Sequence, residues 1–289
     1  MDWRRSRQSE NVEQAGGGGR RFGTGGGLGL GGIAVVVVVG LALGKSPAEI
    51  LGFLVNLGGN QEQSDSRPAT IPAEQNEQVD FVRSILGSTE DTWGEVFQAT
   101  GKQYPAPHLV LFQGAVDSAC GRAAASVGPF YCPDDRRVYL DLDFFREMDK
   151  RFHAAGDLAR AYVIAHEVGH HVQNLMGVME QVDRARGRGA PLEGADGLSV
   201  RLELQADCYA GIWAKRAEQR LHWLEPGDVE NALAAATAIG DDALQRRSQG
   251  YAVPDSFTHG SSEQRVHWFK AGLAGGEIGN CDTFRAARL

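Results

Sequence analysis

Hydrophobic and polar positions change their pattern three times along this chain. Residues 28–44, LGLGGIAVVVVVGLALG, form an uncharged run with no polar punctuation, and with the flanking glycines they approach the roughly 20 residues that cross a bilayer as a helix. The pattern predicts a transmembrane helix there. A cleaved signal peptide is the alternative, although its apolar stretch is usually shorter. AEILGFLVNLG prolongs the anchor or lies at the interface, and GNQEQSDSRPATIPAEQNEQ then reads as a linker. The expected organisation is a Gly/Arg-rich segment at 1–27, the anchor at 28–44, a linker at 45–78 and a domain at 79–289. Two phosphate-binding look-alikes fail on context: Gly27, Gly29 and Gly32 follow no strand, and GLALGKS is one residue short of a phosphate loop.

From Val79 the apolar positions take helical spacing through VDFVRSILGSTEDTWGEVFQATG, with Ser88 and Thr89 marking an expected break between two helices. HLVLFQG and RRVYLDLDFF are short, β-branched and aromatic-rich, which predicts two strands. Helices flanking a small sheet give an α+β class.

Helical spacing is clearest at Leu158, Ala161, Ala165, Val168, Val172 and Leu175, with Asp157 as expected cap and Gly177 as expected stop. This helix carries AYVIAHEVGHHVQNLMG. At 3.6 residues per turn His166 and His170 share one face, one turn apart, so both imidazoles reach a single cation. Glu167 is rotated about 100° from His166 and falls beside that cation. A divalent zinc ion on two histidines, with a carboxylate next to it as general base, is the arrangement that metal-assisted hydrolysis needs. Chance placement of these residue types yields about 0.01 such motifs in the chain.

The site needs a third ligand, and RLELQADCYAGIWA offers Glu203 and Asp207 four apart on one face of another amphipathic helix. Glu203 completes a His2Glu set; Asp207 then accepts the N–H of a ligand histidine. The two roles are exchangeable at this level. His171 points elsewhere on its helix. His259, in THGSSEQR, precedes the capping-box spacing Ser261 to Gln264, and is either a hydrogen-bond donor to a developing oxyanion or a structural loop residue.

Composition adds a compartment and removes a class of partner. A formal charge of -8 with scattered acids argues against nucleic acid. Arg4, Arg5, Arg7, Arg20 and Arg21 precede the apolar run, whereas Lys45 and Arg67 follow it, which places the N-terminus in the cytoplasm and the domain outside a cell membrane. Four cysteines permit three pairings; Cys120 with Cys132 and Cys208 with Cys281 are expected in that compartment, beside the alternative of four reduced, buried thiols.

HEVGHHVQNLMG, RLELQADCYAGIWA and THGSSEQR, with SACG and GPFYCPDDRRVYLDLDFF, resemble the bacterial neutral zinc metallopeptidase family, membrane-anchored zincins, along nearly the whole chain. The resemblance implies a zincin fold, one Zn²⁺ on His166, His170 and Glu203, Glu167 as base, and a protein or peptide substrate. Gly260 stands where related membrane zincins have proline. The strand RRVYLDLDFF is expected to offer an edge for an extended substrate. Two other readings use the same ligands: a tethered zinc module that binds a partner without cleaving it, and a zinc hydrolase of a non-protein amide.

Overall fold

The computed structural model describes residues 1–15, 73–124, 128–152 and 156–289. Residues 28–44, expected to span a membrane, lie outside the described residues, as does most of the expected linker; among the described residues no helix is long and apolar enough to cross a membrane.

The architecture is α+β. A four-stranded sheet runs β1 (Val12–Gln14), β2 (His108–Phe112), β6 (Arg137–Asp141), β5 (Phe130–Cys132), with β3 (Ala115–Ser118) and β4 (Gly121–Ala124) forming a separate hairpin. β1 and β6 both pair with β2 in parallel, and β5 pairs with β6 antiparallel. β2 and β6 are buried at four of their five positions, as strands covered on both faces are. The sequence-predicted strands are therefore central. That corrects the expectation for RRVYLDLDFF: Arg137–Asp141 lies between β2 and β5, both its ladders are occupied, and it offers no free edge.

Two further corrections concern the N-terminal half. The domain does not begin at Val79, because helix α1 starts at Ala73 and residues 12–14 are already a strand of the sheet. Residues 1–14 escaped the sequence reading because they bury only isolated apolar side chains, Trp3 and Val12 among them, and dock largely through polar bonds. Helix α1 (Ala73–Ala99) also runs straight through Ser88 and Thr89. Thr89 donates its hydroxyl back to the Leu86 carbonyl (2.7 Å), and Ser88 accepts the indole N–H of Trp213 (3.0 Å), so neither hydroxyl competes to end the helix.

After the short α2 (Asp143–Glu147) come α3 (Asp157–Leu175), α4 (Val178–Gly187), α5 (Leu198–Leu221), α6 (Asp228–Ala238), α7 (Asp241–Gln249) and α8 (Ser262–Gly275). Asp157 is the first residue of α3 rather than its cap, and Gly177, with φ +74°, ends it in the left-handed conformation. The core is built where α1, α3 and α5 meet the sheet, around Trp93, Tyr162, Trp213 and Trp223. α8 lies along α5 with almost no gap: a Cβ on Gly272 would meet the Cys208 carbonyl oxygen at 1.9 Å. Cys120 is bonded to Cys132 and Cys208 to Cys281. The first bond ties the hairpin to β5, and the second fastens the C-terminal segment to α5.

Candidate metal centre

Two helices make the site. α3 carries His166, Glu167 and His170, and α5 carries Glu203 and Asp207. They cross at Gly169, where a Cβ would stand 3.1 Å from both the Cα and the carbonyl oxygen of Ala206. The glycine inside the histidine motif thus sets how closely Glu203 approaches the imidazoles.

His166, His170 and Glu203 each offer a ligand atom, all within 4.8 Å of one another. His166 Nε2 is 3.1 Å from Glu203 Oε2, and His170 Nε2 is 3.5 Å from Glu203 Oε1. Nitrogen and oxygen atoms about 2.0–2.1 Å from one tetrahedral zinc lie roughly 3.3 Å apart, so both separations suit a shared ion.

The remaining ring nitrogens have other partners, which decide the tautomers. His166 Nδ1 lies 2.8 Å from Asp207 Oδ1, and a carboxylate there accepts only from N–H. His170 Nδ1 lies 2.8 Å from Gln173 Oε1, while the Gln173 amide nitrogen donates to the Leu202 carbonyl (2.7 Å) and to Gln205 Oε1 (3.1 Å). The amide orientation is fixed by those two acceptors, so His170 Nδ1 is the donor. Both Nε2 atoms are then turned toward Glu203 with lone pairs free for an ion. The donor chemistry, two imidazoles and one carboxylate, fits zinc.

Asp207 is fully buried and serves three groups: His166, the Tyr162 hydroxyl, and the guanidinium of Arg265 through two 3.0 Å contacts. Burial alone would raise its pKa, but Arg265 and His166 hold it below the ordinary carboxylate range. Burial likewise opposes charge on His166, yet Asp207 and Glu203 outweigh it and raise that group to about 10. Glu203 is held well below its ordinary value, its burial outweighed by His170 and His259. Glu167 goes the other way: burial raises it, and the opposing pull of His166 and His170 does not outweigh that. A carboxyl group raised in this way holds a proton more readily than an exposed one, as a general base requires.

His259 sits on a loop held by Asp241, whose Oδ2 accepts the backbone N–H of Thr258 (2.7 Å), His259 (2.7 Å) and Gly260 (3.0 Å). Its Nδ1 is 3.4 Å from Asp241 Oδ1. Burial would lower its pKa, but Glu203 and Asp241 raise it, so it lies within electrostatic reach of the ligand carboxylate. The Ser261 capping box that follows is formed, and Gly260 takes φ +90°, which proline would not permit. His171 belongs elsewhere: its Nε2 donates to the Pro105 carbonyl (2.7 Å), and its Nδ1 is 3.1 Å from the Tyr131 hydroxyl on β5.

Tyr162, Gln173, Asp241 and Arg265 were not singled out from the sequence. Tyr162 and Gln173 stand four residues before and three after the two ligand histidines, on the face the spacing had already defined. Arg265 gives no such signal; only a buried acid across the helix pair calls for it.

A buried HExxH helix crossed by a second helix that brings a glutamate to both imidazoles, on an α+β frame, forms a three-residue group that could hold a metal ion. The sequence comparisons supply a family. Residues 1–284 match the family described as "Putative neutral zinc metallopeptidase", and the chain belongs to it. It is 45% identical over 289 residues to the uncharacterised protein YpfJ of Escherichia coli K12, covering 98% of this chain and 99% of that protein. To the uncharacterised protein Rv2575 of Mycobacterium tuberculosis H37Rv it is 44% identical over 219 residues, 72% of this chain and 73% of that one. No solved structure matches the chain.

Proposed function

We propose that the protein is a zinc-dependent endopeptidase in which His166, His170 and Glu203 hold the ion and Glu167 is the general base. The observation that carries this reading is the convergence of both Nε2 atoms on the Glu203 carboxylate, with each Nδ1 engaged by a separate acceptor. A zinc ion in such a site polarises the scissile carbonyl and acidifies water. Glu167 takes the proton of the attacking water and passes it to the leaving amine; its burial keeps its affinity for that proton high. Asp207 and Gln173 hold the two imidazoles in the tautomer that leaves Nε2 free. His259, whose affinity for a proton Glu203 and Asp241 raise against its burial, is the residue suited to donate toward an oxyanion developing beside the site.

The substrate is a protein or peptide in extended form. β5 is the outer strand of the sheet, fastened to α3 by Tyr131, whose hydroxyl meets both His171 and Asn174, and its outer edge, which pairs with no strand among the described residues, is suited to pair with a peptide backbone. The two disulfides support work in an oxidising, extracytoplasmic compartment.

The test compares the full chain with Glu167→Gln for bound zinc and for cleavage of casein or an unbiased peptide library. The reading requires one zinc in both proteins and cleavage by the parent alone. Cleavage retained by the Gln variant removes Glu167 from the mechanism; a zinc-loaded parent that cleaves nothing leaves a binding module instead.

A further inference from the structure

We propose that residues 1–14 and the metal-bearing domain lie on the same side of any membrane this chain meets. The N-terminal segment is built into the domain at five places. Val12, Glu13 and Gln14 form β1, in register with Leu109, Val110 and Leu111, and the flanking bonds Leu109 N–H to the Asn11 carbonyl and Ala15 N–H to the Leu111 carbonyl are both 2.8 Å. Trp3 is 6% exposed and meets Phe81 edge-to-face at 5.7 Å. Arg5 donates to the His222 carbonyl (2.6 Å) at the C-terminal end of α5, the helix that carries Glu203.

Glu90 gives the fourth tie. This buried carboxylate accepts from Arg7 Nη2 (2.7 Å), Ser9 Oγ (2.6 Å) and Asn11 Nδ2 (2.7 Å), all on the N-terminal segment. Withdrawing the segment would strand a buried charge. The fifth is steric. Gly87 lies inside α1, where glycine weakens a helix, and a Cβ there would stand 2.5 Å from the Arg7 carbonyl oxygen. The helix gives up a side chain so that residues 7–9 can lie against it.

A single crossing between residues 15 and 73 would separate β1 from β2 and undo all five. The described ties therefore hold residues 1–14 and the domain from Ala73 onward together on one side. Of the five arginines that the charge rule counts, the three among the described residues are already in use: Arg4 pairs with Glu77, Arg5 with Asp2 and the His222 carbonyl, and Arg7 with Glu90 and Asp91. With Cys120–Cys132 and Cys208–Cys281 formed, the shared side is an oxidising one.

This inference is independent of the catalytic reading. Among the described residues no cysteine is free, so one added thiol is a single reactive probe. Gln8→Cys and Gln249→Cys, both at exposed positions, are made separately in the full chain and treated in intact cells with a membrane-impermeant maleimide, before and after permeabilisation. Equal labelling of the two positions, already complete in intact cells, is the expected result. Labelling of Gln249→Cys in intact cells with Gln8→Cys reacting only after permeabilisation would overturn the proposal.

Discussion

Replacing Asp207 with asparagine removes one charge from a fully buried position. Arg265 is 3% exposed and both its contacts to Asp207 are 3.0 Å, so the variant leaves a buried guanidinium facing a neutral amide. Breaking a buried ion pair from one side costs about 3–5 kcal/mol, a large part of the roughly 5–15 kcal/mol that holds a domain folded. His166 loses its carboxylate acceptor at the same time, and the loss of such a partner weakens metal binding by about 10–100-fold. Urea unfolding of the metal-free protein reads the first effect; zinc titration against a chromophoric chelator reads the second. Gln173→Leu separates the two, because it removes the acceptor of His170 without stranding a charge: zinc affinity should fall while the unfolding free energy drops by about 1–3 kcal/mol, less than for Asp207→Asn, as the Leu202 carbonyl and the Gln205 amide lose their donor. An Asp207→Asn protein with the parent's unfolding midpoint and zinc affinity would refute the argument that this buried acid organises the centre.

Further outcomes follow from other parts of the molecule. Asp241→Asn should cost about 1–3 kcal/mol, since three loop amides and His259 lose a charged acceptor. Burial raises Asp241, but the bond to His259 and the loop amides outweigh it and depress the folded pKa, whereas His259 is raised. The pair's contribution is therefore lost below pH about 4 as the acid protonates, and again above pH about 6.5 as the imidazole loses its proton, and unfolding measured across pH should lose both limbs in the variant. Gly272→Ala forces α5 and α8 apart at a 1.9 Å clash and should lower stability by about 1–3 kcal/mol or more in thermal unfolding. Removing Cys208–Cys281, which closes 73 residues, should cost about 4 kcal/mol by chain entropy, against about 3 kcal/mol for the 12-residue Cys120–Cys132 loop; equal effects in denaturant titration would contradict that ordering.

What the sequence made legible was local. The i, i+4 spacing of His166 and His170 and of Glu203 and Asp207 names two helix faces, and periodicity alone identifies both helices. β2 and β6 were visible as apolar runs, but their neighbours were not: β1 is three residues long and β5 carries partly exposed aromatics, so neither has a run to detect. That is why Arg137–Asp141 was read as an edge. Ser88 and Thr89 read as a helix break because their hydroxyls favour caps, and only the Trp213 indole, 125 residues away, shows why they do not act as one. Arg265 and Gln173 complete the centre through contacts that no short spacing encodes; the exception is Gln173's own place one turn beyond His170.

The central claim is that one ion sits among His166, His170 and Glu203. Zinc-edge anomalous diffraction from crystals of the full chain tests it directly, and the account predicts a single strong peak about 2.0–2.2 Å from His166 Nε2, His170 Nε2 and a Glu203 oxygen. No peak at that position in zinc-loaded crystals, or a peak held by Asp207 in place of Glu203, would contradict it.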